Sequence, residues 1–239
     1  MSNIHLFVSQ DIDDAEERAF LNSLSKNLRF GIYLFESIFK QNKKFELFDL
    51  VIFSLYRKLL ELTDGIFILI DHNSLGAAQI TARSVLEVYL SLSYIVEDKN
   101  NMEKRALSYF LFHKEEELKI LSKQHSFDLL KTKYSEAKLQ EMNQTIRKMK
   151  KEHPLKQIEF DKRQLISKIK SEIPRKYVKW YSIYNKTEDE IYSVNDLLKY
   201  VSKNNESIIE LYGLLSLEVH GVNSIKDVTY KQENYHLMK

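Results

Sequence analysis

The chain has 239 residues and a net charge of +2, with no cysteine, five glycines and two prolines. This composition excludes a disulfide framework, a thiolate metal site and cysteine catalysis, and it favours long helices with few tight turns. The charge is unevenly distributed along the chain. Residues 131–179 contain fifteen Lys or Arg and six Asp or Glu, a net charge of +9, and the remaining residues therefore carry −7. Such an asymmetry indicates an anionic partner.

Apolar residues at helical spacing predict α-helices along most of the chain. The first helix begins beside the capping residues Asp13 and Glu16, and the third begins at the capping residue Ser74. The predicted helices, in chain order, cover approximately residues 13–41, 45–71, 74–97, 102–124, 127–152, 161–173, 196–202 and 206–220.

The second half of the chain carries fewer apolar residues and more charge. Residues 127–152 have a sparse apolar pattern, which predicts a long, exposed, basic helix that ends before Pro154. A short helix is expected to start at Asp161. Residues 177–192 are rich in aromatic side chains and are expected to be irregular, and no segment predicts a pair of β-strands.

The predicted fold class is therefore all-α, a multi-helix bundle with a long exposed basic helix and a short irregular aromatic-rich segment. One helical domain is expected over residues 1–239, with a core at about 13–124 and 194–221 and a basic insertion at about 127–180. No stretch approaches the roughly 20 apolar residues that span a bilayer, and the N-terminus does not have the pattern of a signal peptide. A cytoplasmic protein without membrane contact is expected.

Two charged residues lie where the sequence predicts burial. Arg83 and Glu87 are four residues apart within residues 77–96, which are otherwise apolar nearly all round, and a helix of this kind is typically buried. A buried charge costs several kcal/mol unless it is paired and hydrogen-bonded. Because Arg before Glu is the weaker order for a pair within one helix, partners on another helix are expected.

A second polar stripe lies on the last predicted helix, where Tyr212, Ser216 and His220 follow one another at four-residue spacing. We expect Arg83 or Glu87 to approach Ser216 or His220 within hydrogen-bonding or one-water range. In this arrangement His220 can act as a general base and Arg83 can stabilise a developing anion. The alternative is a structural polar network that fixes the register of the helices.

The seven histidines show no spacing typical of paired metal ligands, so neither a metal nor a cofactor is predicted. A nucleic-acid surface is a further hypothesis, since basic residues beside an aromatic ring suit a single strand through phosphate pairing and base stacking. The alternative is a solvated helix in a lysine-rich chain. The residues predicted to contact nucleic acid are Arg147, Lys148, Lys150, Lys151, Lys156 and Trp180.

Two motifs carry a family resemblance. Residues 82–87 (ARSVLE) with 92–95 (LSYI), and residues 212–221 (YGLLSLEVHG), resemble an uncharacterised bacterial family, domain of unknown function 5677. The resemblance covers roughly residues 51–221 and implies an all-helical bacterial protein whose chemistry is not agreed. It also implies a common site formed by four polar residues, Arg83, Glu87, Ser216 and His220.

A looser similarity is to the HEPN class of helical ribonucleases, which occur in toxin–antitoxin and antiphage systems and carry a closely spaced Arg and His on one helix. Arg147 and His153 are such a pair here, without the usual polar residue after the Arg. A site built from Arg83 and His220 on two helices would do similar chemistry by a different route.

These features predict a bacterial defence or toxin-type protein that acts on RNA, as a metal-independent ribonuclease or another hydrolase. The alternative is a non-catalytic helical binding or interaction module whose polar network is structural. The expected partners are RNA or a single-stranded nucleic acid, a protein partner, and further copies of the chain in a homo-oligomer.

Overall fold

A computed structural model describes residues 15–41, 44–125, 136–172, 178–185, 191–219, 228–231 and 234–237. Within these ranges the secondary structure is almost entirely helical, and the predicted all-α bundle is confirmed. The α-helices are α1 (Ala15–Phe39), α2 (Leu47–Asp71), α3 (Leu75–Glu97), α4 (Met102–His125), α5 (Glu136–Met149), α6 (Leu155–Glu172), α7 (Val194–Ser202) and α8 (Glu206–Val219), and a 3-10 turn covers Trp180–Ser182.

One short β-hairpin lies near the C-terminus, where β1 (Val228–Lys231) pairs antiparallel with β2 (Asn234–Leu237). The expectation that the chain has no strand pair is wrong at this point. The sequence Val-Thr-Tyr in β1 and the Tyr in β2 are residue types that favour strands, but two four-residue segments are too short to stand out as a periodic pattern.

The chain divides into two compact units. The first contains residues 1–44, 53–92 and 202–239, and the second contains residues 45–52 and 93–201. The prediction of one domain with a basic insertion stays a prediction.

In the first unit, α1 and α2 approach closely at Gly31. A Cβ atom at this position would lie 2.6 Å from Cδ2 of Leu60, and the hydroxyl of Tyr56 donates a hydrogen bond to the Gly31 carbonyl at 3.3 Å. A larger residue at this position would therefore require the Leu60 side chain to shift. The buried apolar side chains of this unit include Leu21, Leu28, Leu55, Ala78, Leu90 and Leu215.

Helix α3 is less buried than its composition predicts. Leu75, Ile80 and Tyr89 are exposed, so the expectation of a helix buried nearly all round is wrong. An apolar sequence shows what a helix is able to bury, but the neighbouring elements decide how much of its circumference is covered. The consequence is that the polar residues of α3 lie at a partly open surface.

In the second unit, α6 begins six residues earlier than predicted and has 18 residues. The carbonyl of Pro154 accepts hydrogen bonds from the backbone N–H groups of Gln157 and Ile158, at 3.0 and 3.4 Å. Proline suits this place because its fixed φ matches the first turn of a helix and its missing N–H would have no partner there. Pro154 therefore starts α6 in addition to ending the preceding segment.

The core of the second unit joins α4 to the first turns of α6. Leu107 and Leu111 of α4 pack with Leu155 and Ile158 of α6, and all four are almost fully buried. The described part of the predicted basic helix is α5, in which Ile146 is buried. Partly buried side chains complete the cluster, namely Leu47, Phe48, Met149, Ile183 and Tyr184.

Candidate functional site

The predicted polar residues of α3 meet α8 at Tyr212. Nε of Arg83 lies 3.1 Å from Oε1 of Glu87, and the Tyr212 hydroxyl donates a hydrogen bond to the same carboxylate oxygen at 3.0 Å. Nη2 of Arg83 is 3.5 Å from the Tyr212 hydroxyl, and the guanidinium carbon lies 5.4 Å from the centre of the Tyr212 ring. The three side chains therefore form a closed triangle that links two helices.

Ser216, the next residue of the α8 stripe, makes a different hydrogen bond. The hydroxyl of Ser216 donates to the carbonyl of Tyr212 at 2.7 Å, a bond within its own helix that is typical of Ser in a helix interior. His220 lies outside the described residues, directly after the last residue of α8. Tyr212, one of the three residues of that stripe, makes the cross-helix hydrogen bonds, and the approach of Arg83 or Glu87 to Ser216 or His220 stays a prediction.

The triangle is open to solvent on one side. The side chain of Arg83 is 19% exposed and that of Glu87 is 42% exposed. Burial raises the pKa of the Tyr212 hydroxyl, Arg83 opposes this rise and Glu87 adds to it, so Tyr212 remains a hydrogen-bond donor near neutral pH. Burial acts to lower the pKa of Arg83, but Tyr212 and Glu87 outweigh it and the pKa is raised.

Arg83 has hydrogen-bonding capacity beyond this triangle. A guanidinium carries five N–H groups in a planar fork. Within the described part of the chain, the side chain makes one bond from Nε and one long bond from Nη2. The remaining donors are available to an anion such as a phosphate, which a planar guanidinium binds in a bidentate manner.

The predicted nucleic-acid residues divide into exposed and engaged groups. Arg147, Lys148, Lys151 and Lys156 are exposed around the turn between α5 and α6. Lys150 instead contacts the carboxylate of Glu115 on α4. The first group is therefore able to meet a partner, whereas Lys150 has a structural role.

A network of ion pairs explains why Lys150 is engaged. Glu115 also accepts a bond from Lys162 of α6 at 2.6 Å, and Lys150 lies 3.5 Å from Oε2 of Glu159. Burial acts to raise the pKa of Glu115, but hydrogen bonds from Lys150 and Lys162 outweigh it and the pKa is lowered. The network fixes α4, α6 and the residue that follows α5 against one another.

This network predicts a pH-dependent contribution to stability. Because the pKa of Glu115 is lower in the folded chain, Glu115→Gln should lose about 1–3 kcal/mol of unfolding free energy above the ordinary glutamate pKa of 4.5. The difference from the wild type should vanish as the pH falls through the folded pKa. Urea unfolding followed by circular dichroism between pH 7 and roughly pH 3 measures it. Glu117→Gln, at an exposed pair on the same helix, should change little at any pH.

Trp180 is placed differently from the sequence hypothesis. Its side chain is only 7% exposed, and its ring makes edge-to-face contacts with Tyr94 and Tyr109 at centroid distances of 5.6 and 5.0 Å, and with Tyr181 at 5.3 Å. These contacts place the ring in the core of the second unit. Trp180 therefore has no exposed ring face on which a nucleic-acid base could stack.

Sequence reasoning missed an exposed aromatic residue, Phe160, which is 55% exposed on α6. It lies one turn after Lys156 and one turn before Arg163, both of which are also exposed. The signal that could have revealed it is Pro154, since a helix that begins at this proline places all three residues on one face.

Other classes of site find no support in the described residues. No group of three or more His, Cys, Asp or Glu in these parts of the chain is arranged to hold a metal ion. None of the helices that the structure describes is both long and apolar enough to cross a membrane.

Most of the chain matches a known protein family. A protein-family model described as a family of unknown function (DUF5677) matches residues 49–235. No curated protein and no solved structure matches the chain. The matched range contains most of α2, all of α3 and all of α8, and therefore the whole triangle of Arg83, Glu87 and Tyr212.

Proposed function

Since the chain belongs to the DUF5677 family of unknown function, as its sequence motifs predicted, we propose a function from the site itself: a bacterial, defence or toxin-type protein that acts on RNA. Arg83 binds a phosphate of the RNA, and Glu87 with Tyr212 holds the guanidinium in position. The observation that carries the proposal is the half-buried Arg83, which is oriented by two side chains and still has N–H groups to offer.

The reaction proposed is cleavage of a phosphodiester without a metal. The ribose 2′-hydroxyl attacks the adjacent phosphorus, and the bond from phosphorus to the 5′-oxygen breaks. His220 takes the proton of the 2′-hydroxyl, a role that rests on the sequence alone, and the departing 5′-oxygen takes a proton from water. Arg83 stabilises the negative charge that builds on the phosphoryl oxygens, because a preorganised donor in a partly desolvated site costs little reorganisation.

The neighbouring groups limit what each residue of the site can do. Tyr212 is protonated near neutral pH, as an ordinary tyrosine is, and burial raises its pKa further, so it acts as a positioning residue that orients Glu87 and Arg83. Ser216 donates to a backbone carbonyl, which leaves its hydroxyl poorly placed for use as a nucleophile. The arrangement therefore favours proton transfer and anion stabilisation over a covalent intermediate on serine.

We expect Arg83→Ala to lower the rate of RNA cleavage by about 100-fold or more while the protein stays folded. The measurement is cleavage of a labelled single-stranded RNA by purified wild type and variant, with a thermal melt of each protein. Arg57→Ala is the matched control, because Nε of Arg57 also pairs with a glutamate four residues later, at 2.7 Å, but on an exposed surface. Arg57→Ala should cleave at the wild-type rate.

The alternative function, a non-catalytic interaction module, is favoured by a second observation. Leu211, Leu214, Leu217 and Val219 of α8 are exposed, and exposed apolar side chains close together on one helix are typical of surfaces that bind another protein or a second copy of the chain. In this case the wild type would cleave no RNA, and Arg83→Ala would only lower the melting temperature. That result would remove the ribonuclease proposal and leave the triangle as a structural link.

A further inference from the structure

The exposed face of α6 has an unusual composition. From its first to its fourth turn, the residues that are exposed include three cations, two amides, a serine and a phenylalanine, and none of them is acidic. These residues are Lys156, Gln157, Phe160, Arg163, Gln164, Ser167 and Lys168. The face therefore carries a formal charge of +3 around one aromatic ring.

The carboxylates that neighbour Phe160 in sequence are paired, in part with members of this face. Glu159 is largely buried and is paired with Lys150 and with Nε of Arg163, at 3.5 and 3.1 Å. Asp161 accepts a bond from the Tyr184 hydroxyl at 2.6 Å. The ring of Phe160 therefore lies between the exposed cations Lys156 and Arg163, and neither neighbouring carboxylate is fully exposed.

We propose that this face of α6 binds a single-stranded nucleic acid, with Phe160 stacking on a base and Lys156 and Arg163 pairing with the phosphates on either side. The proposal takes its substrate class from the proposed function. Lys156 and Arg163 are seven residues apart, which is about 10 Å along the helix axis, and Phe160 lies between them. Exposed cations and a ring alternate along this face, as they do in proteins that track a single strand.

The composition of the face argues against a folded protein as the occupant. Helix-mediated protein docking uses several apolar anchors at three- and four-residue spacing, and Phe160 is the single apolar member of the seven exposed residues. A duplex is also a poor fit, because the faces of its bases are covered by stacking and leave the ring without a partner. A single strand is able to use both the charge and the ring.

The turn that leads into α6 adds two exposed cations to this surface, beside the exposed Glu152. Lys148 and Lys151 are exposed there, and the N–H of Lys151 bonds to the carbonyl of Lys148 at 2.9 Å, so the two residues belong to one tight turn. A strand that follows α6 toward its N-terminus would therefore reach further cations. The length of this surface suits a few nucleotides, in keeping with the roughly 4–16 that single-strand-binding modules contact.

The test is fluorescence anisotropy of a labelled uridine oligomer of about 12 nucleotides with the purified full chain. Phe160→Ala should raise the Kd about 5- to 150-fold, the range that corresponds to removal of one base stack. Phe160→Trp should retain binding and its indole emission should be quenched by the RNA, whereas Phe160→Leu should bind as weakly as Phe160→Ala. Phe30→Ala, at a similarly exposed ring of α1, should leave the Kd unchanged.

Salt dependence supplies the second measurement. The logarithm of the association constant falls linearly with the logarithm of the salt concentration. In Lys156→Gln and in Arg163→Gln, each of which removes one proposed phosphate contact, the slope should become shallower by about 0.7. Equal affinity for a blunt duplex of the same length would overturn the proposal, and so would a wild-type Kd in Phe160→Ala. A wild-type Kd in Phe160→Leu would show that Phe160 makes an apolar contact in place of stacking, and this result would also overturn the proposal.

Binding and cleavage separate this proposal from the proposed function. A chain that binds the single strand through Phe160 but does not cleave it supports the α6 surface and removes the ribonuclease proposal. If cleavage depends on Arg83 but the Kd does not change in the Phe160 variants, the ribonuclease proposal is supported and the α6 surface is overturned. A wild type that binds no RNA and no single-stranded DNA at low salt overturns the α6 surface.

Discussion

Arg105→Ala should lower the free energy of unfolding by about 3–5 kcal/mol, the size expected when a large buried side chain is removed. Arg105 is fully buried, and its guanidinium lies 3.8 Å from the centre of the Tyr94 ring. Nη1 donates to the Tyr94 carbonyl, and Nε donates to the Tyr184 carbonyl at 3.1 Å. Alanine would leave a cavity and would remove one donor each from the carbonyls of Tyr94 and Tyr184.

Urea unfolding of Arg105→Ala and Arg57→Ala provides the measurement and its control. Arg57 has a short ion pair with Glu61 but both side chains are exposed, so its loss should cost at most about 0.5 kcal/mol. Arg105→Lys should also be destabilised, because an ammonium cannot reproduce the planar fork that reaches both carbonyls. Equal unfolding midpoints for Arg105→Ala and Arg57→Ala would contradict the structural role.

The sequence did not reveal Arg105, although it drew attention to Arg83. Arg83 stands out because its helix is apolar, whereas Arg105 follows Glu103 and Lys104 and looks like one more surface charge. Its burial depends on Tyr184, 79 residues away, whose carbonyl receives its bond. Single-sequence patterns report on neighbours within a few turns, so they cannot place a partner at that separation.

The link between α3 and α8 was predictable in outline and not in detail. A charge in an apolar helix needs a partner, and the four-residue spacing on α8 supplied the correct helix. The sequence could not select Tyr212 over Ser216, because that choice depends on how far each side chain reaches. The long phenol spans the gap to Glu87, whereas the short hydroxyl of Ser216 bonds within its own helix.

The sequence predicts that α6 starts at Asp161, which leaves Lys156 and Phe160 outside the helix. The exposed face of α6 that we propose to bind RNA therefore does not appear in the sequence prediction. From the sequence, Pro154 indicates the end of the preceding segment, and Asp161 is the expected acidic first residue of the helix. Both features are common at helix starts, and the observed helix uses Pro154 as the residue before its first turn. The six additional residues place Ile158 in the core and Phe160 on the surface.

This assignment leads to a paired prediction for two residues of one helix. Ile158→Ala should cost about 2–5 kcal/mol of unfolding free energy, because Ile158 is fully buried among Leu107, Leu111 and Leu155 and its loss leaves a cavity. Phe160→Ala should change stability by at most about 0.5 kcal/mol, because its ring is largely exposed.

Urea unfolding at neutral pH, followed by circular dichroism, measures both variants under the same conditions. Ile158→Val is the graded control and should cost about 0.5–1.5 kcal/mol, since it removes a single methylene. If Ile158→Ala unfolded at the wild-type urea midpoint, the first turn of α6 would not be packed against α4. The assignment of Lys156 and Phe160 to one exposed face of α6 would then have no support. If Phe160→Ala were as destabilised as Ile158→Ala, its ring would belong to the core, and weaker RNA binding by that variant would no longer indicate stacking.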